Sequence, residues 1–258
     1  MSVLLCVVGV VLGVTQLHDV VYIVCEFSSA IIRFHATTRE RLTDINVMDL
    51  SSPRDIAACE LTSQLYVPDS WEQCIWRVSS VGEDIQCCWT RSSSGAFRPW
   101  RLSVTSSHVL VTPRYTNELM QLDAAGEQLR RVPLPRYMRP EHAVESPSGT
   151  FVIGHENTEL KQYQVSEVNT EGRVLRQFSG SLSSTSHIAI DSQGNIFVAD
   201  YGNRRVLLLD ARLDLRRVII DKRQLNYMPP GRLCYNEQSG QLFVGRLDVV
   251  SVFDVLQR

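Results

Sequence analysis

Six positions at intervals of 41 to 46 residues hold the side chains best suited to chemistry in this chain: Gly13, Asp55, Arg101, His142, His187 and Arg232. Two imidazoles and a carboxylate are donor types that ligate zinc or iron. Arg101 and Arg232 oppose that use, because fixed positive charge beside a divalent cation is unfavourable. No metal and no other cofactor is therefore expected. The five side chains instead suit a water-filled channel wall or a polar ligand site. A second set mixes aromatics with polar groups: Phe27, Trp71, Tyr115, Asn117, Tyr201, Asn203, Arg204 and Arg246, with Arg54, Trp100 and Arg114 nearby. Such residues stack on bases and hold phosphates, and they also dominate protein hot spots. Catalysis finds less support. Cys59 and Cys234 sit in apolar runs with no base in view, and neither a G-x-S-x-G elbow nor a phosphate-cradling glycine loop occurs.

Those positions recur because the chain itself repeats. The clearest unit runs from His187 to Asp210 and reads strand, glycine turn, strand, loop, strand, and Leu213 to Ile220 adds a fourth β-rich run. The residue ending each second strand falls at Glu26, Asp69, Pro113, His155, Asp200 and Arg246, after the runs Tyr22–Cys25, Leu65–Pro68, Val109–Thr112, Phe151–Gly154, Ile196–Ala199 and Leu242–Gly245. Six units of four short strands predict an all-β, six-bladed β-propeller over residues 1–258, with four-stranded antiparallel blades. Gly82, Gly126 and Gly172 fall in the outer hairpins, where positive φ is often needed. The last unit stops at Arg258 after its third strand, so the outer strand of that blade is expected from Ser2-Val3-Leu4-Leu5, closing the ring. The innermost strands line the central channel. Asp55, Arg101, His142, His187 and Arg232 should then ring one mouth of it, with the loops bearing Phe27, Trp71, Tyr115, Tyr201, Asn203, Arg204 and Arg246 at the same end.

Gly194-Asn195-Ile196-Phe197-Val198-Ala199-Asp200-Tyr201-Gly202-Asn203-Arg204-Arg205-Val206 closely resembles the NHL-repeat signature. The hydrophobic frame covers nearly the whole chain, whereas the diagnostic polar motif covers one repeat. The resemblance extends to the C-terminal propellers of tripartite-motif proteins and implies a non-enzymatic recognition platform for protein or single-stranded RNA. The barely complete ring closure, for its part, raises the expectation that the sequence is the C-terminal part of a longer protein. Two alternatives stand beside the recognition platform: a metal-dependent lyase or lactonase of similar architecture, and a secreted adhesion or sugar-binding propeller. Asp200 and Arg205 have a plainer use, a charge-assisted bond bracing the loop between two strands.

Composition narrows the partners. With 26 Lys plus Arg against 28 Asp plus Glu the net charge is -2, which gives no overall attraction to DNA or to anionic lipid. Seven cysteines, an odd number without a CxxC pair, read as reduced and mainly buried, in keeping with a cytoplasmic protein that is monomeric as an isolated domain. The apolar stretch Val3 to Val14 lacks a preceding basic residue and is too short to span a bilayer. His18, His35, His108 and His155 are expected on surfaces or loops.

Overall fold

The computed structural model describes residues 3–90, 98–105 and 108–255, and these contain 24 strands and no helix. They form six four-stranded antiparallel sheets. The first blade comprises β2 (Val11–Leu17), β3 (Val20–Cys25), β4 (Ala30–His35) and β5 (Arg41–Asn46). The second comprises β6 (Ala57–Cys59), β7 (Gln64–Asp69), β8 (Cys74–Ser79) and β9 (Ile85–Thr90), and the third β10 (Pro99–Val104), β11 (Val109–Pro113), β12 (Glu118–Leu122) and β13 (Gln128–Pro133). The fourth holds β14 (Met138–Glu145), β15 (Phe151–Asn157), β16 (Gln162–Val168) and β17 (Val174–Gln177). The fifth holds β18 (Thr185–Ile190), β19 (Ile196–Asp200), β20 (Arg205–Leu209) and β21 (Leu215–Ile220). In the sixth, β22 (Arg232–Asn236), β23 (Gln241–Arg246) and β24 (Val249–Asp254) are completed by β1 (Val3–Cys6), which pairs antiparallel with β24. The ring thus closes through an N-terminal strand as expected, one residue later than read from spacing; Ser2 lies outside the described residues.

The second strands are continuous apolar runs because both faces of each blade pack on a neighbour. The core divides into six clusters, and each belongs to one blade–blade boundary. In β11, for example, Val109 and Val111 pack toward the second blade while Leu110 packs toward the fourth. Strand alternation sends successive side chains to opposite faces, and here both faces are interior. The outermost strands face water on one side: Gln128, Leu129, Arg130 and Arg131 of β13 are all exposed. Gly82, Gly126 and Gly172 take positive φ in the outer hairpins.

All seven cysteines are free. Cys25, Cys59 and Cys74 are buried, but Cys6 and Cys87 are exposed, because they fall on the outer strands β1 and β9. His155 departs further from expectation. Strand β15 continues past it to Asn157, so its imidazole is fully buried and Nε2 lies 2.9 Å from Ser166 Oγ.

Candidate functional site

Each first strand starts at one end of the ring, which we call the loop end; the loops joining second to third strands and the links between blades emerge there too. The first-to-second and third-to-fourth turns emerge at the opposite, hairpin end. Gly13, Arg101, His142, His187 and Arg232 pair with Val24, Thr112, Gly154, Ala199 and Gly245, at equivalent points near the end of each second strand. Asp55 stands just ahead of β6. The register shifts immediately before Gly13, Arg101, His142 and His187, so a bulge recurs beside this level in four blades and re-aims the side chain that follows.

The ring is assembled as the spacing implied, but it is interior. Asp55, Arg101, His142, His187 and Arg232 are all buried. Three of them form a belt between blades. Asp55 Oδ2 accepts the backbone N–H of Leu102, His142 Nδ1 that of Ile188, and His187 Nδ1 that of Leu233, at 3.1, 3.3 and 3.4 Å. Each donor follows the ring residue of a later blade. Gly13 has no side chain to give, and the N–H of Ile56 is satisfied instead by Asp55 Oδ1 at 3.0 Å. A Cβ at Gly13 would come within 2.5 Å of that nitrogen. The adjoining Leu12 carbonyl accepts from Arg232 of the neighbouring sixth blade and from Arg101 of the third.

Asp55, His142 and His187 bring one potential ligand atom each within 4.8 Å of one another. Their free valences fit a metal poorly. Both imidazoles accept at Nδ1, His142 Nε2 faces the Leu102 carbonyl at 3.2 Å, and both carboxylate oxygens of Asp55 accept backbone N–H groups. Only His187 Nε2 is left without a hydrogen bond, 3.6 Å from Asp55 Oδ2. The imidazole planes stack, with centroids 3.7 Å apart. Burial lowers His187 despite the neighbouring Asp55, and burial together with His187 drives His142 well below the usual imidazole range. Burial alone would raise the Asp55 carboxyl; His187, Arg101 and His142 hold it below the usual carboxylate range. Burial pushes Arg101 down, and it pushes Arg232 down further with Arg101 beside it. Arg101 Nε has no partner.

Above this ring, toward the loop end, lies a cluster of cations on one indole. The guanidinium carbons of Arg114, Arg54 and Arg101 stand 4.0, 4.9 and 5.2 Å from the Trp100 ring centre, and Arg114 is also 4.6 Å from that of Tyr115. Glu141, raised mainly by its burial, is the acid that faces Arg101, Arg139 and Arg114.

Every second-to-third loop carries one large exposed apolar side chain: Phe27, Trp71, Tyr115, Leu160, Tyr201 and Leu247, between 44 and 84% exposed. Sequence reading found the four aromatics and passed over Leu247, whose signal was its place directly after the anchor Arg246, and Leu160, which the extension of β15 to Asn157 moves five residues past its anchor. Met48 and Tyr227, exposed in the inter-blade links, lie at the same end. Phe27, Tyr115 and Leu247 also hold positive φ, a conformation that costs bulky residues about 1–2 kcal/mol. Arg204, likewise at positive φ, is exposed, and so is Asn203, although its amide donates to Asp200 Oδ2 at 2.8 Å. Arg246 is a correction: it ends β23 inside the protein and donates to the Leu225 carbonyl and Ser251 Oγ, because that loop is only two residues long.

The expected brace is present. Arg205 Nε donates to Asp200 Oδ2 at 2.7 Å, and Asp200 Oδ1 accepts the N–H of Ser183 in the preceding link. Asp69 does the same for Ser51, Ser52, Trp71 and Glu72. Burial raises Cys234 to about 11, which removes it as a ready nucleophile.

No protein-family model and no curated protein matches the chain in sequence. Solved structures do match in shape. Virginiamycin B lyase from Staphylococcus aureus superposes with a TM-score of 0.69 at 11% identity, covering 98% of both chains. A hydrazine synthase chain from Kuenenia stuttgartiensis gives 0.67 at 13% identity over 94% of this chain and 95% of that one. A chain of a nidogen–laminin complex gives 0.67 at 18% identity, covering 84% and 82%. Lyase and binding propellers share this shape, and what the chain is by fold is a six-bladed β-propeller.

Proposed function

We propose that the protein is a recognition propeller that binds a protein partner across its loop end, reading an acidic, apolar segment. The observation that carries this is the circle of six exposed apolar side chains, one per blade, around the arginines on Trp100. Exposing Phe27 and Tyr115 at positive φ opposes folding twice, which points to selection for contact rather than for stability. Trp, Tyr and Arg are the residues that anchor protein interfaces. Leu160, Leu247 and Met48 offer nothing for a base to stack on, which favours protein over single-stranded RNA. At the centre, Arg54, Arg101, Arg114 and Arg232 exceed Asp55 and Glu141 in charge, and a partner carboxylate would balance them. The NHL-like fifth blade supports a recognition role of this kind. The lyase reading has less behind it, because the lone pairs of the two histidines and the aspartate are largely committed to bracing the blades.

The test is titration of the purified protein against synthetic peptides alternating Asp or Glu with Leu or Phe, and separately against a random single-stranded RNA pool, each at two salt concentrations. Acidic apolar peptides should bind, and Tyr115→Ala should weaken them by about 1–3 kcal/mol. Binding of RNA alone, with the steep salt dependence of phosphate contacts, would replace this reading by the nucleic-acid one.

A further inference from the structure

Four arginines meet at the loop-end mouth of the channel, and their placement is fixed by shared partners. Arg101 and Arg232 form the floor. Both donate to one carbonyl, that of Leu12, which holds the two guanidiniums beside each other. Arg101 also donates to the Arg54 carbonyl, and Arg232 to that of Gly231. Arg54 and Arg114 form the wall, with guanidinium carbons 4.9 and 4.0 Å from the Trp100 ring centre, against 5.2 Å for Arg101. Arg114 is exposed and Arg54 half-buried, whereas Arg101 and Arg232 keep 6 and 7% of their surface in contact with solvent. The cations thus lead inward from the surface to the channel.

The hydrogen bonds of the floor end on neutral carbonyls, which orient the guanidiniums without answering their charge. Arg101 Nε, buried, has no partner at all. The acids that act on Arg101 and Arg232 are Asp55 and Glu141. Arg139, which also faces Glu141, is paired with Glu156 and drops out of the balance. Four guanidiniums therefore meet two carboxylates, a surplus of two positive charges. Burial, and after it Arg101, lowers Arg232, the response of cations held together with too few anions. Buried charge without a counter-charge is destabilising, and a ligand that supplies the anion removes that penalty.

A surplus of two discriminates among anions. A partner's aspartate or glutamate brings one negative charge and two oxygens, and each phosphodiester of an RNA likewise brings one charge. A phosphomonoester brings about -1.5 to -2 at neutral pH and three acceptor oxygens, enough to take guanidinium forks from floor and wall together.

We propose that the anionic group read at the channel mouth is a phosphoserine or phosphothreonine of the partner segment, its oxygens accepting from Arg101 and Arg232 below and from Arg54 and Arg114 at the side. This rests on the binding of a protein partner across the loop end, and names what that partner carries at its centre.

Fluorescence-anisotropy titration tests it with labelled peptides of one Leu- and Phe-containing sequence that carry phosphoserine, glutamate or serine at the central position. The phosphoserine peptide should bind at least tenfold more tightly than the glutamate peptide, and millimolar inorganic phosphate should displace it. Arg114→Gln should shrink that ratio at least threefold while leaving the serine peptide as in the wild type. Equal affinity for the phosphoserine and glutamate peptides overturns the phosphate assignment and leaves the acidic-segment reading standing. Tighter binding of single-stranded RNA than of the phosphoserine peptide, or no binding of any peptide, overturns both. The wild-type comparison alone decides this if the Arg114 variant fails to fold.

Discussion

Acid should destabilise this propeller well above the pH at which its carboxylates protonate, and His155 sets the scale. Its imidazole is fully buried, and burial depresses it from 6.5 to about 4. The unfolded chain therefore takes up a proton as pH falls through about 6.5, whereas the folded protein resists until about 4. Stability is complete above the unfolded value and is lost as pH falls across that window. At 1.36 kcal/mol per unit, His155 contributes a loss of about 2 kcal/mol by pH 5 and about 3 kcal/mol by pH 4. His142 and His187 shift in the same direction. The control is His155→Gln, whose amide can reach Ser166 Oγ and does not titrate. Urea denaturation of both proteins at intervals from pH 7.5 to 4.5 measures the difference directly. The gap between wild type and variant should be constant near neutrality and move in the variant's favour by about 2 kcal/mol at pH 5. A gap that does not change with pH would refute the assignment of a buried neutral imidazole at 155.

Three further outcomes follow from the ring and its closure. Gly13→Ala puts a methyl 2.5 Å from the Ile56 nitrogen and should cost about 1–3 kcal/mol in denaturant unfolding, the usual penalty of overpacking. Deleting residues 1–8 removes β1 together with buried Leu5 and Val7, and should lower the thermal midpoint by several degrees and expose the edge of β24, read as concentration-dependent association; an unchanged midpoint counts against ring closure through β1. Arg114→Glu should abolish acidic-peptide binding with the thermal midpoint preserved, whereas equal binding by variant and wild type would dissociate the Trp100 cluster from recognition.

The blades were legible because each second strand is apolar on both faces, a pattern that survives where the polar motif has decayed. Tyr22–Cys25 and Leu242–Gly245 carry none of the motif and still form β3 and β23. The roles of Asp200 and Arg205 could be read because the partners lie five residues apart. The belt could not, because Asp55, His142 and His187 bond to backbone 46 or 47 residues away, and those partners are main-chain groups that no side-chain pattern marks. His155 and Arg246 were misread for a common reason: an acidic anchor in one blade suggested a strand end at the surface in the others. Where the carboxylate is replaced, the strand can run on, as β15 does, or the loop can shorten, as between β23 and β24, and the residue is covered.

The acidity of the hairpin end has an origin in how the chain turns. At the hairpin end an Asp or Asn side chain repeatedly accepts backbone N–H groups two and four residues on: Asp123 from Ala125 and Glu127, Asn169 from Glu171 and Arg173, Asp191 from Gln193 and Asn195, Asp210 from Arg212 and Asp214. These turns fix tight hairpins, and a carboxylate is the residue type that does so most often here. Acidity therefore accumulates at that end as a by-product of folding. At the loop end Asp69 and Asp200 are buried in braces, whereas Asp49, Glu72, Glu159, Asp221 and Asp248 stand exposed among the arginines, so the two signs are mixed there. A propeller built this way therefore presents one predominantly acidic end, which raises the local concentration of cations there, and one end of mixed charge where local clusters such as the arginines on Trp100 decide what is attracted.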